Sequence, residues 1–414
     1  MGKLFIKIIL FITIVFSGVI IFLTSVGYET GKFDILIKEK VNNLNTNVQL
    51  EFKKTKIFLD PIELNLVAKL QNTKVLIRGN AIDLSNFDLY LSLKALFTSS
   101  FLLKKIEIGF FENNIKDLTK VTNILIPKFV NKKLNKRLIK GTIQGKITVP
   151  FDSNGEITKD YGFVGKVSEA TIKITKNFFI RNLTTEISYG KEVSNRGLET
   201  KVIKGLFLDL NLDGSIINIK KNNNVTKIVS SLSTKGDLNL KQVKNLISLF
   251  NIRSPALKET KGTVDLKTDV SFDITKSFKI KNFIYSSKGR IDSLDLTTHE
   301  SSLIKKYLLN NNNKLIFKDT SIKFEKKETL QNLEMNGLAK TDQKFDAFKI
   351  TKKYFYKKNL FIVNGNLDLT NTEVNFAQIN YLKNAGKTAE LKFDLDFIPN
   401  KFFHIKKFKL NENK

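Results

Sequence analysis

The side chains that could do chemistry are few and poorly grouped. His299 and His404 are the two histidines, and neither has a carboxylate or a second histidine at a spacing that would put both on one metal ion. Asp394 and Asp396 stand at i, i+2 and so share one face of a strand; Asp209 and Asp213 share a face too, with Asn211 between them. Paired carboxylates of this kind could divide general-acid and general-base work between them. On the polar parity of an alternating strand they read instead as a solvated face, and Asp292 with Asp295 lacks even that register. Gly-rich phosphate loops, Gly-x-Ser-x-Gly elbows and His-Glu-x-x-His helices are absent. With no cysteine, neither disulfides nor thiolate metal sites are open to the chain. The sequence predicts a protein that is not an enzyme, with no catalytic residue, metal site or cofactor.

Function must then lie in the elements themselves. The most distinct is the uncharged stretch from Ile8 to Val26, 19 residues in which apolar side chains run on without a polar period. As a helix it is about 28 Å long, which matches the hydrocarbon core of a bilayer. Ile8, Phe11, Phe16, Ile20 and Val26 are the expected membrane-anchor residues. Lys3 and Lys7 precede the run and nothing strongly basic follows until Lys32, which puts Met1 in the cytoplasm and the bulk of the chain beyond the inner membrane, in the periplasm. The rival reading is a cleaved secretory signal, with Lys3 and Lys7 as its n-region and Ser25-Val26-Gly27 as a small-x-small site. The run exceeds the roughly 7–15 residues of such a signal's apolar region, which favours a retained single-pass span.

Composition narrows the partners. Hydrophobic content of 42% is too high for a disordered chain and too low for a multi-spanning one. The formal charge of +29 invites a nucleic-acid reading, but the basic residues are spread along the whole chain without one dense patch. Abundant Lys, Asn, Ile and Phe share A/T-rich codons, which accounts for the charge without a partner. No nucleic acid is expected; attraction to anionic membrane surfaces is the remaining use of the charge.

Taken in order, the chain predicts four segments: a cytoplasmic tip and transmembrane helix over 1–27, a helix and strands over 28–114, an amphipathic basic helix over 115–138, and a repeating β region over 139–414. Phe33, Leu36, Ile37, Val41 and Leu44 have helical spacing within 28–44. From Val48 the period is two, with Asp60-Pro61 as a turn or bulge before Ile62, Leu64 and Leu66 resume it; Leu89 and Leu91 continue the pattern. Lys132, Lys133, Lys136 and Arg137 give 115–138 its basic end, and Pro127 should kink it. Beyond it the best strands keep one apolar parity: Leu206, Leu208, Leu210 and Leu212; Val264 and Leu266; Val270, Phe272 and Ile274; Leu391, Phe393, Leu395 and Phe397. Helical interruptions are expected at 240–250 and 300–309, and Asn222–Asn224, Ser254-Pro255 and Asn310–Asn313 read as loops or turns.

An apolar parity needs apolar material against it. A sandwich or closed barrel would supply a second sheet, whereas a long curved antiparallel sheet without enough helix would leave a trough for lipid. Periodicity leaves both open. A span, an amphipathic helix and strands leading to Leu91-Ser-Leu-Lys-Ala-Leu96 and Phe101-Leu-Leu-Lys-Lys-Ile-Glu-Ile108 resemble the N-terminal region of the AsmA-like family, nearer its YhdP- and TamB-type members, over about residues 1–115. That resemblance implies a mainly β, elongated groove with an apolar inner face, anchored in the inner membrane and carrying phospholipid toward the outer membrane. The groove-lining residues would be the parity residues from Leu89 to Phe397 named above. Roughly 20–24 strands at about 4.8 Å each reach some 100–115 Å, which favours a partner in the outer membrane or periplasm, an oligomer, or a shorter-range role. The alternative is a membrane-anchored scaffold that assists outer-membrane protein assembly by pairing a client strand to its sheet edge.

Overall fold

Alternation of polar and apolar residues dominates the chain after residue 48, and the fold follows it: one N-terminal apolar helix, then antiparallel strands. A computed structural model describes the chain apart from residues 1, 32, 36, 40–47, 78–79, 94–102, 118–135, 175–176, 191–196, 223–224, 250–256, 278, 299–313, 341–343, 377–378 and 413–414. The chain forms two compact units, Met1–Thr200 and Lys201–Lys414. His299, the helix expected at 300–309, the Ser254-Pro255 turn and most of the basic helix expected at 115–138 lie outside the described residues.

In the first unit, helix α1 (Gly2–Ser25) contains a stretch, Ile6–Ser25, that is long and apolar enough to cross a membrane and has none of its residues buried. Lys3 and Lys7 lie in its first turns, and Ile8, Phe11 and Phe16 stand well exposed while Ile20 is half-buried. The helix closes where the amides of Val26 and Gly27 both donate to the Phe22 carbonyl, so Val26 belongs to the turn. Gly27, at φ 74°, takes the left-handed closing position, and a Cβ there would stand 2.9 Å from the Ile57 carbonyl oxygen.

The strands of this unit are β1 (Tyr28–Thr30), β2 (Val48–Glu51), β3 (Lys54–Asp60), β4 (Asn65–Gln71), β5 (Lys74–Ile77), β6 (Asn80–Ser92), β7 (Leu103–Asn114), β8 (Leu138–Pro150), β9 (Gly162–Lys173) and β10 (Phe179–Gly190). Strand β6 pairs with β4 and β5 on one edge and β7 on the other, and β7 to β10 continue as an antiparallel meander. The helix expected over 28–44 begins later: Tyr28–Thr30 pair with β3, and the described helical residues are 34, 35 and 37–39. Ile62 and Leu64 do not resume a strand. Asp60 Oδ1 accepts from the Ile62 and Glu63 amides, forming a turn in which Leu64 has φ 50° and Ile62 is 91% exposed.

Strand β11 (Gly197–Phe207) begins in the first unit and runs into the second, which also holds β12 (Leu210–Asn211), β13 (Ile216–Asn222), β14 (Val225–Asn239), helix α2 (Leu240–Leu249), β15 (Leu257–Thr275), β16 (Ile280–Thr298), β17 (Lys314–Lys326), β18 (Leu330–Lys340), β19 (Asp346–Phe355), β20 (Leu360–Asp368), β21 (Val374–Phe376), β22 (Tyr381–Lys383), β23 (Ala389–Ile398) and β24 (Phe402–Glu412). From β14 onward each strand lies antiparallel to the one before, except that β21 and β22 form a separate hairpin and β20 pairs directly with β23. The single strand expected over Leu206–Leu212 is a hairpin instead. Leu208 and Asp209 take φ 53° and 62°, and Phe207 pairs with Leu210. An aspartate tolerates the left-handed region and matches the two-residue turn that a right-twisted hairpin needs. Asp213 then folds back, accepting from the Gly205 amide and Asn211 Nδ2, so it shares no strand face with Asp209.

Candidate functional site

Direct pairing across β17 to β24 brings one parity of every strand to one face. Three rows cross the six strands β17, β18, β19, β20, β23 and β24: Ile322, Met335, Ile350, Gly365, Phe393 and Phe408; Phe324, Leu333, Lys352, Val363, Leu395 and Ile405; and Lys326, Gln331, Tyr354, Phe361, Phe397 and Phe403. A further row runs Phe348, Leu367, Leu391 and Leu410 over β19 to β24. The opposite parity is polar, with Lys323, Glu334, Thr351, Asn364, Asp394 and Lys407 in one row and Asp396 and His404 in the next. Cross-strand neighbours on one face stand about 4.5–5.5 Å apart, so the first set makes a continuous floor that is apolar but for Lys326, Gln331 and Lys352.

What covers the floor changes along it. Near β15 and β16 it is packed shut: Leu210, Leu238, Val264 and Ile291 are buried together, with Leu266 and Val243 of α2 against them. Helix α2 is fixed there by a reciprocal cap, in which the Gln242 amide donates to Asn239 Oδ1 and the Asn239 amide to Gln242 Oε1. Near β19 to β24 the floor opens into a cavity of about 830 Å³ lined by Phe317, Phe348, Ile350, Leu391, Phe393, Leu395, Ile405 and Phe408 among others. That volume is within the roughly 300–1,000 Å³ usual for sites that enclose small molecules.

One side of the cavity is closed by the chain between β20 and β23, which contributes Leu369, Thr372, Val374 and Ile379. This cap is tied down at two buried charges. Asp346, itself buried, accepts from the Asn371 amide and side chain and from Thr372 Oγ1. Lys383, with no exposed surface, donates to the carbonyls of Thr370, Thr372 and Asn384. Burial pushes the Lys383 ammonium below the ordinary lysine range, opposed by Asp346, Glu412 and Asp368. At the other side the floor is open: Phe403, Ile405 and Phe408 on β24 are 64%, 51% and 53% exposed. Along the outermost row Tyr354 stacks on Phe361 at 4.2 Å between ring centroids, Phe361 on Phe397 at 4.9 Å, and Phe403 follows at 6.2 Å.

The residues expected to line a groove fall into four environments. Leu391, Phe393 and Leu395 line the cavity and Phe397 belongs to the aromatic row beside it. Leu210, Val264 and Leu266 sit in the packed cluster under α2, and Leu212 is buried near it. Leu208 is in the turn, Leu206 is half-buried on the parity opposite Leu210, and Phe272 and Ile274 are half-buried on β15 with Phe283 6.4 Å from the Phe272 ring. Leu89 and Leu91 lie in the other unit, buried with Ile57, Leu66, Ala68 and Phe87 under Ile37 and Leu50. Sequence reasoning missed Lys352, although Phe348, Ile350, Lys352 and Tyr354 alternate in plain view. Of the acidic candidates, Asp396 pairs with Lys406 at 2.6 Å, Asp292 with Arg290 at 3.2 Å and Asp295 with Lys314 at 3.1 Å. His404 stands exposed on β24, and among the described residues no three His, Asp or Glu side chains converge on one point that could hold a metal ion. No protein-family model, curated protein or solved structure matches this chain.

Proposed function

We propose that this protein is a lipid conduit of the repeating β-groove class, held in the inner membrane by α1 with its N-terminus cytoplasmic, and carrying phospholipid through the periplasm between the two membranes. The observation that carries the reading is the apolar floor of β17 to β24, which ends in an 830 Å³ cavity and exposed apolar side chains on β24. Exposed apolar side chains in a continuous row are costly in water and cost nothing under an acyl chain. Each CH₂ moved from hydrocarbon to water costs roughly 0.8 kcal/mol, so two chains of about 15 carbons lose something like 24 kcal/mol on leaving a membrane unassisted. An apolar path keeps that cost nearly constant while the head group stays wet, and no residue has to perform a reaction. Lys3 and Lys7, before the apolar run, support the orientation.

The test is lipid content and transfer. Full-length protein purified in mild detergent should carry phospholipid detectable by mass spectrometry and should speed transfer of labelled phospholipid between donor and acceptor vesicles. A folded protein free of lipid and inactive in transfer would refute the reading. The scaffold alternative draws on one feature: β24 pairs with β23, and among the described residues nothing pairs with its other edge. Lys406, Lys407 and Lys409 on that strand work against indiscriminate pairing. A proline at Lys407 that abolishes outer-membrane protein assembly while leaving lipid transfer intact would favour that alternative.

A further inference from the structure

Lys352 stands on the floor parity of β19, opposite Leu333 on one side and Val363 on the other. Its Nζ lies 5.0 Å from the centroid of the Phe361 ring, and burial lowers its affinity for the proton below that of an ordinary lysine. The acids of this part of the sheet cannot serve it. Glu325, Glu334, Asp394 and Asp396 belong to the opposite parity. Asp346 and Asp368 reach the cavity but are engaged by the cap, Asp346 through Asn371 and Thr372 and Asp368 through Thr370. The three floor rows contain Lys352 and Lys326 and no carboxylate. A half-buried cation on an acid-free apolar surface is an expensive arrangement unless an anion arrives from outside.

The position of that anion relative to the cavity is set by the strand. Ile350, two residues from Lys352 on the same face, lines the cavity, and so do Leu395 and Ile405 of the Lys352 row. We propose that Lys352 reads the lipid head group: an amphiphile with a net negative head lies with its acyl chains in the cavity and its acidic group against the Lys352 ammonium, so the floor selects anionic over zwitterionic phospholipid. A zwitterionic head would bring its own cation to floor rows with no carboxylate to receive it. This proposal rests on the lipid-conduit reading and specifies its cargo.

The experiment uses full-length protein in amphipol, incubated with phosphatidylcholine vesicles that carry pyrene-labelled phosphatidylglycerol or, separately, pyrene-labelled phosphatidylcholine at the same mole fraction. Label retained by the protein after the vesicles are removed is the readout. The expected wild-type preference for phosphatidylglycerol is about tenfold, the value of one charge-assisted hydrogen bond. Lys352→Met should bring that ratio to about one through loss of phosphatidylglycerol retention, and Lys352→Arg should keep the preference. An unchanged ratio in Lys352→Met, equal loss of both labels in it, or a wild-type preference for phosphatidylcholine would overturn head-group reading while leaving lipid binding in place. Uptake of neither label by the wild type would instead bring down the lipid-conduit reading, and this proposal with it.

Discussion

Placing a carboxylate at Ile405 separates a lipid-covered floor from a packed core. Ile405 lies on β24, lines the cavity and is 51% exposed without lipid. Fully burying an isoleucine is worth about 1.5–3 kcal/mol, so Ile405→Asp should cost the empty protein only about 1 kcal/mol, a few degrees in Tm. With an acyl chain over the position the same carboxylate must lose its water, at a cost of several kcal/mol per ion, and the chain forfeits roughly 0.8 kcal/mol for each CH₂ it withdraws. Together these should lower lipid occupancy at least about a hundredfold, since each 1.4 kcal/mol is a factor of ten. The assay is phospholipid per mole of purified full-length protein by mass spectrometry, beside thermal unfolding followed by circular dichroism. His404→Asp is the control, because His404 is exposed, adjacent in sequence and on the other face. Lipid retained by Ile405→Asp at the wild-type level, or lost equally in His404→Asp, would refute the assignment of this face to lipid.

The cap, the closed core and the floor lysine each make a separate prediction. Lys383→Met strips the donor from three carbonyls in the cap, a loss of about 3 kcal/mol, and should speed amide exchange over residues 369–386 about a hundredfold while β15 amides stay unchanged. Leu89→Ala, at a side chain that is 4% exposed in the first unit, should cost about 2–5 kcal/mol of stability with no change in lipid per folded molecule. Lys352 binds its proton less tightly in the native protein than the 10.5 of a free lysine, so between its lowered pKa and 10.5 the unfolded chain holds the extra proton and native stability rises with pH. The difference in denaturant midpoint between wild type and Lys352→Met should follow that rise, and a flat difference would show that the lysine is not desolvated.

Alternation identifies the faces of strands but not what covers them, and the legible and illegible parts of this chain divide on that line. Leu391, Phe393 and Leu395 lie beneath a cavity, whereas Leu89 and Leu91, with the same spacing, lie beneath β2, β5 and the residues around Ile37. Nothing in either run records its cover, because the cover comes from elsewhere in the sequence. The Leu206–Leu212 run failed for another reason: a two-residue turn leaves the alternation intact on both sides, and only the Asp at its second position hints at the positive φ. The cap between β20 and β23 has no period at all, and the hydrogen bonds from Asn371 to Asp346 and from Lys383 to Thr372 that help fix it join residues more than ten positions apart. The apolar helix was legible because a stretch long and apolar enough to span a membrane depends on its own residues alone.

Gly365 offers the sharpest test of how the floor is shaped. It sits on β20 between Ile350 and Phe393, with a backbone that an alanine could adopt, yet a Cβ there would overlap Cζ and Cε1 of the Phe393 ring. The glycine is therefore the slot in which the Phe393 ring lies, an aromatic side chain covering a strand glycine. In Gly365→Ala the ring has to swing away, and the space open to it is the cavity. Overpacking costs about 1–3 kcal/mol, and the alanine recovers about 0.4–1 kcal/mol by restricting the unfolded chain, so the net loss of stability should be near 1 kcal/mol. Lipid content should fall by more than that loss explains, because the displaced ring fills the site proposed for the acyl chain. Adding Phe393→Leu removes the clash, so the double variant should regain both stability and lipid relative to Gly365→Ala, a coupling of at least about 0.5 kcal/mol. A double variant no better than Gly365→Ala would mean that the glycine serves the backbone and not the ring, and that the shape of the cavity is set elsewhere.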